Sequence, residues 1–360
     1  MPPPFGAIID VPRSERSGFL DDGREEDNMA RRLSIGFNWQ GSLDYDVACQ
    51  RVRIADENGI DTVWVPEAWG RDCFTILALL ARETERVQLG TGIVNTYSRT
   101  PAALAQHFAT LDEVSNGRMI IGLGTSGHRV IEHWHGVPFQ PPLTRLREYV
   151  DILRIIFSGE PLRYEGKVFN LQRGFRLRFT PVRTELPIYI ASLTPKSVAQ
   201  TAAIADGWMP VLIPLPNLAE EISKFRDMIK AAGRDPHSVT VRTPGVTTVT
   251  DDVEKIRHES KAHVAFYVTN MGDFYREQLT RLGYEEAVHT IRSAWDEGGH
   301  AAGIASVPDD LVDNLHFAGS VEACRDRIAA YEEAGIDMIS VNVDSEDPAE
   351  IGRIFRQLQG

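Results

Sequence analysis

Short apolar runs alternate with segments of helical period along almost the whole chain. The segments 33–37, 62–65, 87–91, 119–123, 187–191, 208–213, 239–249 and 337–343 read as strands, and 119–123 has the continuous apolar character of one buried on both faces. Between them, apolar positions recur at helical spacing. Val47, Cys49, Val52 and Ala55 mark a helix over 44–58 that Gly59 stops, and Leu104, Phe108, Leu111 and Val114 mark one opened by Thr100-Pro101 and closed by Asn116-Gly117. Leu218, Ile222, Phe225 and Ile229 predict another, with Asn217 as its cap and Glu220 completing a capping box. Eight strands, each followed by a helix, predict an α/β fold of the (β/α)8 TIM barrel type, with a doubly wound sheet as the weaker alternative.

Two stretches are longer than a crossover requires and read as insertions. Residues 128–185 hold a loop (128–142), a helix (145–157) and a hairpin region (163–181), while 252–318 is mostly helical and interrupted by Gly272, Gly283 and Gly298-Gly299. Residues 1–32, rich in Pro, Gly, Arg and acids without periodicity, read as an N-terminal extension. The barrel then covers 33–343, and 344–360 is a C-terminal helix packed on it.

The 360 residues carry a formal net charge of −13, which disfavours nucleic acid and anionic membrane as partners. Cys49, Cys73 and Cys324 are too few and too scattered for a disulfide framework or a metal site. No apolar run reaches spanning length and the start does not read as a secretory leader, so a cytoplasmic protein is expected. The chain offers no G-x-S-x-G elbow, P-loop, CxxC or EF-hand loop. Chemistry borrowed from a bound cofactor fits better than a dedicated protein nucleophile.

Chemistry-bearing residues gather where strands end. Gly92-Ile93-Val94-Asn95 leads through Thr96-Tyr97-Ser98-Arg99 to a Thr-Pro helix start, and Ile190-Ala191-Ser192-Leu193-Thr194-Pro195 repeats that grammar. These are either two ordinary capped junctions or one ligand gripped from two sides. Gly124-Thr125-Ser126-Gly127 offers amides and two hydroxyls to a phosphate, or marks only a tight turn, and it is no GxGxxG fingerprint. Lys196 either adds a point charge to that anion site or is a solvated first-turn lysine. Gly207-Trp208 is a cofactor contact or barrel packing.

Glu67 follows strand two and Asn38 follows strand one, so both face one barrel mouth. Glu67 suits hydrogen bonding to a cofactor ring, acid–base work or a rim salt bridge. Asn38 orients a partner without shuttling a proton. His107, between the stripe residues of its helix, reads as a surface group or a support to the site. His128, His133 and His135 cluster around Glu132, yet H-E-x-x-H on a helix is absent, and a substrate-facing loop suits them better than a metal.

Taken together, Trp64-Val65-Pro66-Glu67, Gly90-Thr91-Gly92-Ile93-Val94-Asn95, Asn116-Gly117-Arg118 through Gly124, Ala205-Asp206-Gly207-Trp208 and Gly335-Ile336-Asp337 resemble the bacterial luciferase-like superfamily of flavin and deazaflavin oxidoreductases over about 33–343. The stretch Asn95 to Pro101 is most similar to the deazaflavin branch that includes methylenetetrahydromethanopterin reductase and the deazaflavin-linked glucose-6-phosphate and secondary alcohol dehydrogenases. The resemblance implies a luciferase-like barrel, a nonprolyl cis peptide at Gly92-Ile93 backing the ring, Asn95 beside the cofactor and Glu67 by the reacting ring. It also implies a phosphate contact from Thr125-Ser126-Gly127 with Ala191-Ser192. The implied activity is hydride transfer at C5 of the deazaflavin coenzyme F420 to or from a small organic or pterin-like molecule, in a homodimer. Ala68 stands where the sugar-phosphate dehydrogenases carry a histidine base, which argues against that substrate. The alternative is an FMN-dependent monooxygenase using O2 and a separate flavin reductase; a noncatalytic binding protein is the reading from a different class.

Overall fold

The computed structural model describes residues 31–37 and 41–360. Residues 1–30 of the expected extension, and Asn38, lie outside the described residues. The core is a parallel sheet with helices around it. Its paired strands run in the order Thr240–Val241, Gly207–Met209, Ile188–Ala191, Met119–Gly124, Gln88–Thr91, Thr62–Val65, Leu33–Gly36, Ile339–Val343, Thr247–Val249, Phe317–Gly319. Apolar side chains on the outer faces of these strands meet the inner stripes of the helices in one large core. A second core lies under the helices of the 253–315 region, and Trp64, Ile120, Tyr189, Met209 and Met338 form a third cluster.

Local signals explain most boundaries. Asp44 caps Tyr45–Glu57 by accepting from the amides of Asp46 and Val47, and Thr100 caps Pro101–Val114 by accepting from Ala103 N at 3.2 Å. The hairpin expected near 163–181 is the antiparallel pair Leu162–Glu165 and Asn170–Phe175. Its turn is held by the buried Glu148 carboxylate, which accepts from the amides of Lys167, Val168 and Phe169.

The structure corrects five expectations. The sheet sweeps 264° as an open half-barrel and is not a closed (β/α)8 barrel. The cause lies in the seventh strand, where Pro244 lacks a donor and Gly245 has backbone of Leu315 where a side chain would stand, so 239–249 breaks into two short pieces. One isolated parallel bridge, Arg242 with Met338, crosses between the arms. The sixth strand stops at Met209 because Pro210 follows it. Asn217 does not cap its helix, which starts at Leu215 behind Pro214; its side-chain amide donates instead to Leu282 O at 3.3 Å. Part of the expected loop 128–142 is the short helix His128–His133.

Among the described residues no helix is long and apolar enough to cross a membrane, and no group of three His, Cys, Asp or Glu stands ready for a metal ion.

Candidate functional site

The third strand departs from its neighbour where the unusual backbone begins. Gly90 pairs with Ile120 and Val94 with Leu123, so 90–94 carries one residue more than 120–123 and bulges. The Thr91 side chain fills the break: its hydroxyl donates to Gly122 O at 2.8 Å and accepts from Gly122 N at 2.9 Å. Gly122 must be glycine, since the Thr91 carbonyl occupies the place of a Cβ. Within the bulge the Gly92–Ile93 peptide is cis. Ile93 leans on Gly124, where an added Cβ would lie 2.9 Å from Ile93 Cδ1.

Because Met119–Gly124 and Ile188–Ala191 are adjacent in the sheet, the loops leaving their C-terminal ends meet. They enclose a cavity of about 410 Å³ whose walls include Thr125, Ser126, Gly127, Ala191, Ser192 and Lys196. Six of the positions singled out in the sequence thus converge. Phe139, Leu143 and Leu146 come from the first insertion, and Phe274 and Tyr275 come from the second. Ser126 adopts φ 58°, which turns the loop, and the amides of Ser126 and Gly127 have no acceptor among the described residues. Lys196 is exposed at the first turn of Pro195–Ile204 and forms no ion pair with a described residue. No Asp or Glu lines the cavity, although the chain as a whole carries −13.

Two neighbours are already committed. The buried Ser192 hydroxyl pairs with Thr201 Oγ1 at 2.8 Å, and Thr194 and Ser197 form a reciprocal capping box. Trp208 is buried against Phe225 with ring centroids 4.3 Å apart, and its Nε1 donates to Ser192 O at 3.0 Å. It therefore holds the loop from behind, and neither it nor Gly207, which faces the Tyr189 ring, lines this cavity.

A different arrangement stands after strands two and three. Arg99 forks onto Glu67, with Nη1 to Oε1 at 2.5 Å and Nη2 to Oε2 at 3.0 Å, and reaches Asp72 Oδ1 at 2.6 Å. Glu67 Oε2 also accepts from Cys73 N at 3.2 Å. Burial works to raise the Asp72 carboxyl, but hydrogen bonds from Thr75 and the Arg99 charge outweigh it and hold the group below its usual range. Burial pushes the Cys73 thiol far up, so it is no nucleophile. Asn95 Oδ1 accepts from the amides of Tyr97 (2.9 Å) and Ser98 (2.8 Å), and its amide nitrogen lies 3.4 Å from His135 Nε2. Burial, with the Arg99 charge as a lesser cause, lowers the proton affinity of His135; the same two causes act on His107, which stacks on Phe74.

Arg99 stood inside a recognised motif without a role. The need of a buried acid after strand two for a partner was the signal that pointed to it. Phe274 and Tyr275 had no sequence signal, because only the folded insertion brings them to the mouth.

The family model for luciferase-like monooxygenases matches residues 34–338. The chain belongs to this family. It is 32% identical over 335 residues to a protein of Mycobacterium tuberculosis provisionally named a coenzyme F420-dependent oxidoreductase, covering 88% of this chain and 96% of that one. It is 30% identical over 317 residues to the 5,10-methylenetetrahydromethanopterin reductase of Archaeoglobus fulgidus, covering 85% and 92%. The solved coenzyme F420-dependent tetrahydromethanopterin reductase of Methanopyrus kandleri superposes with a TM-score of 0.76 over 92% of this chain and 97% of its own, at 23% identity, which speaks for the shared fold. Within the luciferase-like family the chain falls in the F420-dependent oxidoreductase branch.

Proposed function

We propose that this luciferase-like protein is a coenzyme F420-dependent oxidoreductase that transfers a hydride between deazaflavin C5 and a small organic substrate. The observation that carries the reading is the acid-free cavity, in which free amides at Ser126 and Gly127 and the unpaired Lys196 converge inside an acidic chain. Those groups fit a phosphate-bearing cofactor tail. The names of the relatives in the same branch support the choice of deazaflavin over FMN.

In this reading Thr125, Ser126, Gly127, Ala191 and Lys196 hold the anionic tail, and the Gly92–Ile93 bulge with Gly124 backs the ring. When bound, the deazaflavin supplies a two-electron centre at C5. Glu67 is held in place by Arg99 and presents fixed hydrogen-bonding geometry beside the ring. Asn38 is proposed to orient the same ligand from strand one. His135, depressed in proton affinity by burial and oriented by Asn95, is proposed to stand near an alcohol-type substrate as a neutral imidazole. The aromatic walls of both insertions exclude water from the transfer.

Equilibrium titration of cofactor-free protein with oxidised F420-type deazaflavin and, separately, with FMN tests the reading by fluorescence and calorimetry. Selective deazaflavin binding is expected. Selective FMN binding would replace the reading with that of a monooxygenase fed by a separate flavin reductase.

A further inference from the structure

Arg242 is an inward-facing charge that the phosphate-tail reading does not use. Its backbone continues the seventh strand, donating to Trp208 O at 3.0 Å and bridging Met338. Its side chain turns inward, with the guanidinium 5.3 Å above the Trp64 ring and Nε donating to Ser340 Oγ at 3.0 Å. Among the described residues no Asp or Glu pairs with it, whereas Arg99, Arg183, Arg226 and Arg257 each hold a carboxylate. Burial alone pulls its proton affinity down, to about 10, with no acid opposing it.

Arg242 is half-buried, so its charge is partly desolvated without a counter-charge, and one hydroxyl with one indole face does not replace a carboxylate. The fork has five donors and Ser340 uses one. Arg242 is partly open to solvent. Gly36, level with Trp64 in the sheet, is exposed and an added Cβ would meet nothing within 4 Å. On the other side Trp64 Cβ lies 3.2 Å from where a Cβ of Gly92 would stand, so the Trp64 residue spans from Arg242 to the cis-peptide bulge.

We propose that Arg242 receives a planar, delocalised anion on the guanidinium donors that Ser340 leaves free, a second anion subsite distinct from the one at Lys196. Two sources carry that chemistry: the pyrimidinedione edge of a reduced cofactor ring, or a carboxylate of the substrate. The cofactor source rests on the deazaflavin reading above; the subsite itself does not. The planar fork matches a flat anion with two parallel hydrogen bonds, which lysine would not reproduce.

The test compares the cofactor-free parent with Arg242→Met and Arg242→Lys, using benzoate, its neutral isostere benzamide, and oxidised and reduced deazaflavin as probes. Melting temperature and intrinsic tryptophan fluorescence are the readouts. Ligand-free Arg242→Met is expected to melt no lower than the parent, because an uncompensated charge has gone. Its affinity for an anionic probe should fall tenfold or more, with Arg242→Lys between the two. A loss confined to benzoate assigns the subsite to substrate; a loss greater for reduced than for oxidised deazaflavin assigns it to the ring. If the parent binds no deazaflavin, the cofactor reading fails and the benzoate arm alone decides. Parent-like affinities of Arg242→Met for every probe, or no preference of the parent for benzoate over benzamide together with no loss on deazaflavin, would overturn the proposal.

Discussion

The two sides of the mouth differ in how far their polar groups are already satisfied. After strands two and three, Glu67, Arg99, Asp72 and Asn95 spend most of their hydrogen-bonding capacity on one another and on backbone amides. After strands four and five, the amides of Ser126 and Gly127 and the Lys196 ammonium face a cavity with no protein partner. One side is pre-organised by the chain itself, and the other is completed by what it binds. Stability should therefore depend on the first side and ligand affinity on the second.

The sharpest way to break that contrast is Glu67→Ala. It leaves the Arg99 fork with Asp72 alone, and losing half of a largely buried pair should cost about 3 kcal/mol in denaturant unfolding. Deazaflavin affinity measured at the folded protein should change far less than on the opposite side. An equal or larger effect of Lys196→Ala on stability would reverse the assignment.

Acid should act on the open side through its wall. Tyr275 lines the cavity and packs on Tyr267, which contacts His263, whose ring in turn meets His316 at 5.3 Å. Desolvation lowers the proton affinity of both imidazoles, with the neighbouring His263 ring a lesser cause at His316, which is half-buried while His263 is the more open of the two. Their folded proton affinities lie below the unfolded value of about 6.5, so the unfolded chain binds more protons as pH falls. Stability from these residues is present above about pH 6.5 and is lost progressively toward pH 4 and below. Hydrogen exchange should show the 253–315 helices losing protection in that window before Glu67 and Arg99 separate. Uniform loss across the chain would argue against a local cause.

Lys196→Glu places a carboxylate in the acid-free cavity. Deazaflavin binding is expected to weaken by about 30-fold, or about 2 kcal/mol, with melting temperature nearly unchanged because the side chain is solvent-exposed. A shift of less than twofold would show that Lys196 is only a solvated first-turn residue.

The smallest effect is expected from Gly124→Ala. Its Cβ would press on Ile93 Cδ1, the far end of a flexible side chain, which can move at a cost of about 1 kcal/mol. Deazaflavin affinity should fall a few-fold as Ile93 is pushed toward the ring. Unchanged binding would separate the Ile93 side chain from the ring-backing role.

Much of the open side of the mouth was legible because its signals are local. Thr125-Ser126-Gly127 follows an apolar strand, and Thr194-Pro195 announces a helix start, so both loops were placed before their meeting was known. Gly207 and Trp208 show the limit of such signals. A ring at a strand start looks the same whether it faces a ligand or a helix, and only the pairing with Phe225 tells them apart. For Glu67 the sequence leaves three roles open, the rim salt bridge that the structure shows among them, because its partner Arg99 stands 32 residues away. The seventh strand is shorter than the sequence suggests for the opposite reason: Val239, Val241, Val246 and Val249 span Pro244 and Gly245 in a strand-like spacing, whereas hydrogen bonding gives the missing donor priority.

The sequence by itself determined the alternation of strands and helices, the caps that start Tyr45–Glu57, Pro101–Val114 and Pro195–Ile204, and the glycines that let backbone approach backbone. These depend on residues within a turn or two of each other, so their energetics are present in the local chain. The tertiary structure alone decided the open sheet, the Glu67–Arg99 fork, the aromatic wall contributed by Phe274 and Tyr275, and the unpaired Arg242 over Trp64. Each of those is a matter of which distant group reaches a charge or fills a space. Parallel strands joined by long crossovers bring such groups together only after the whole sheet has formed.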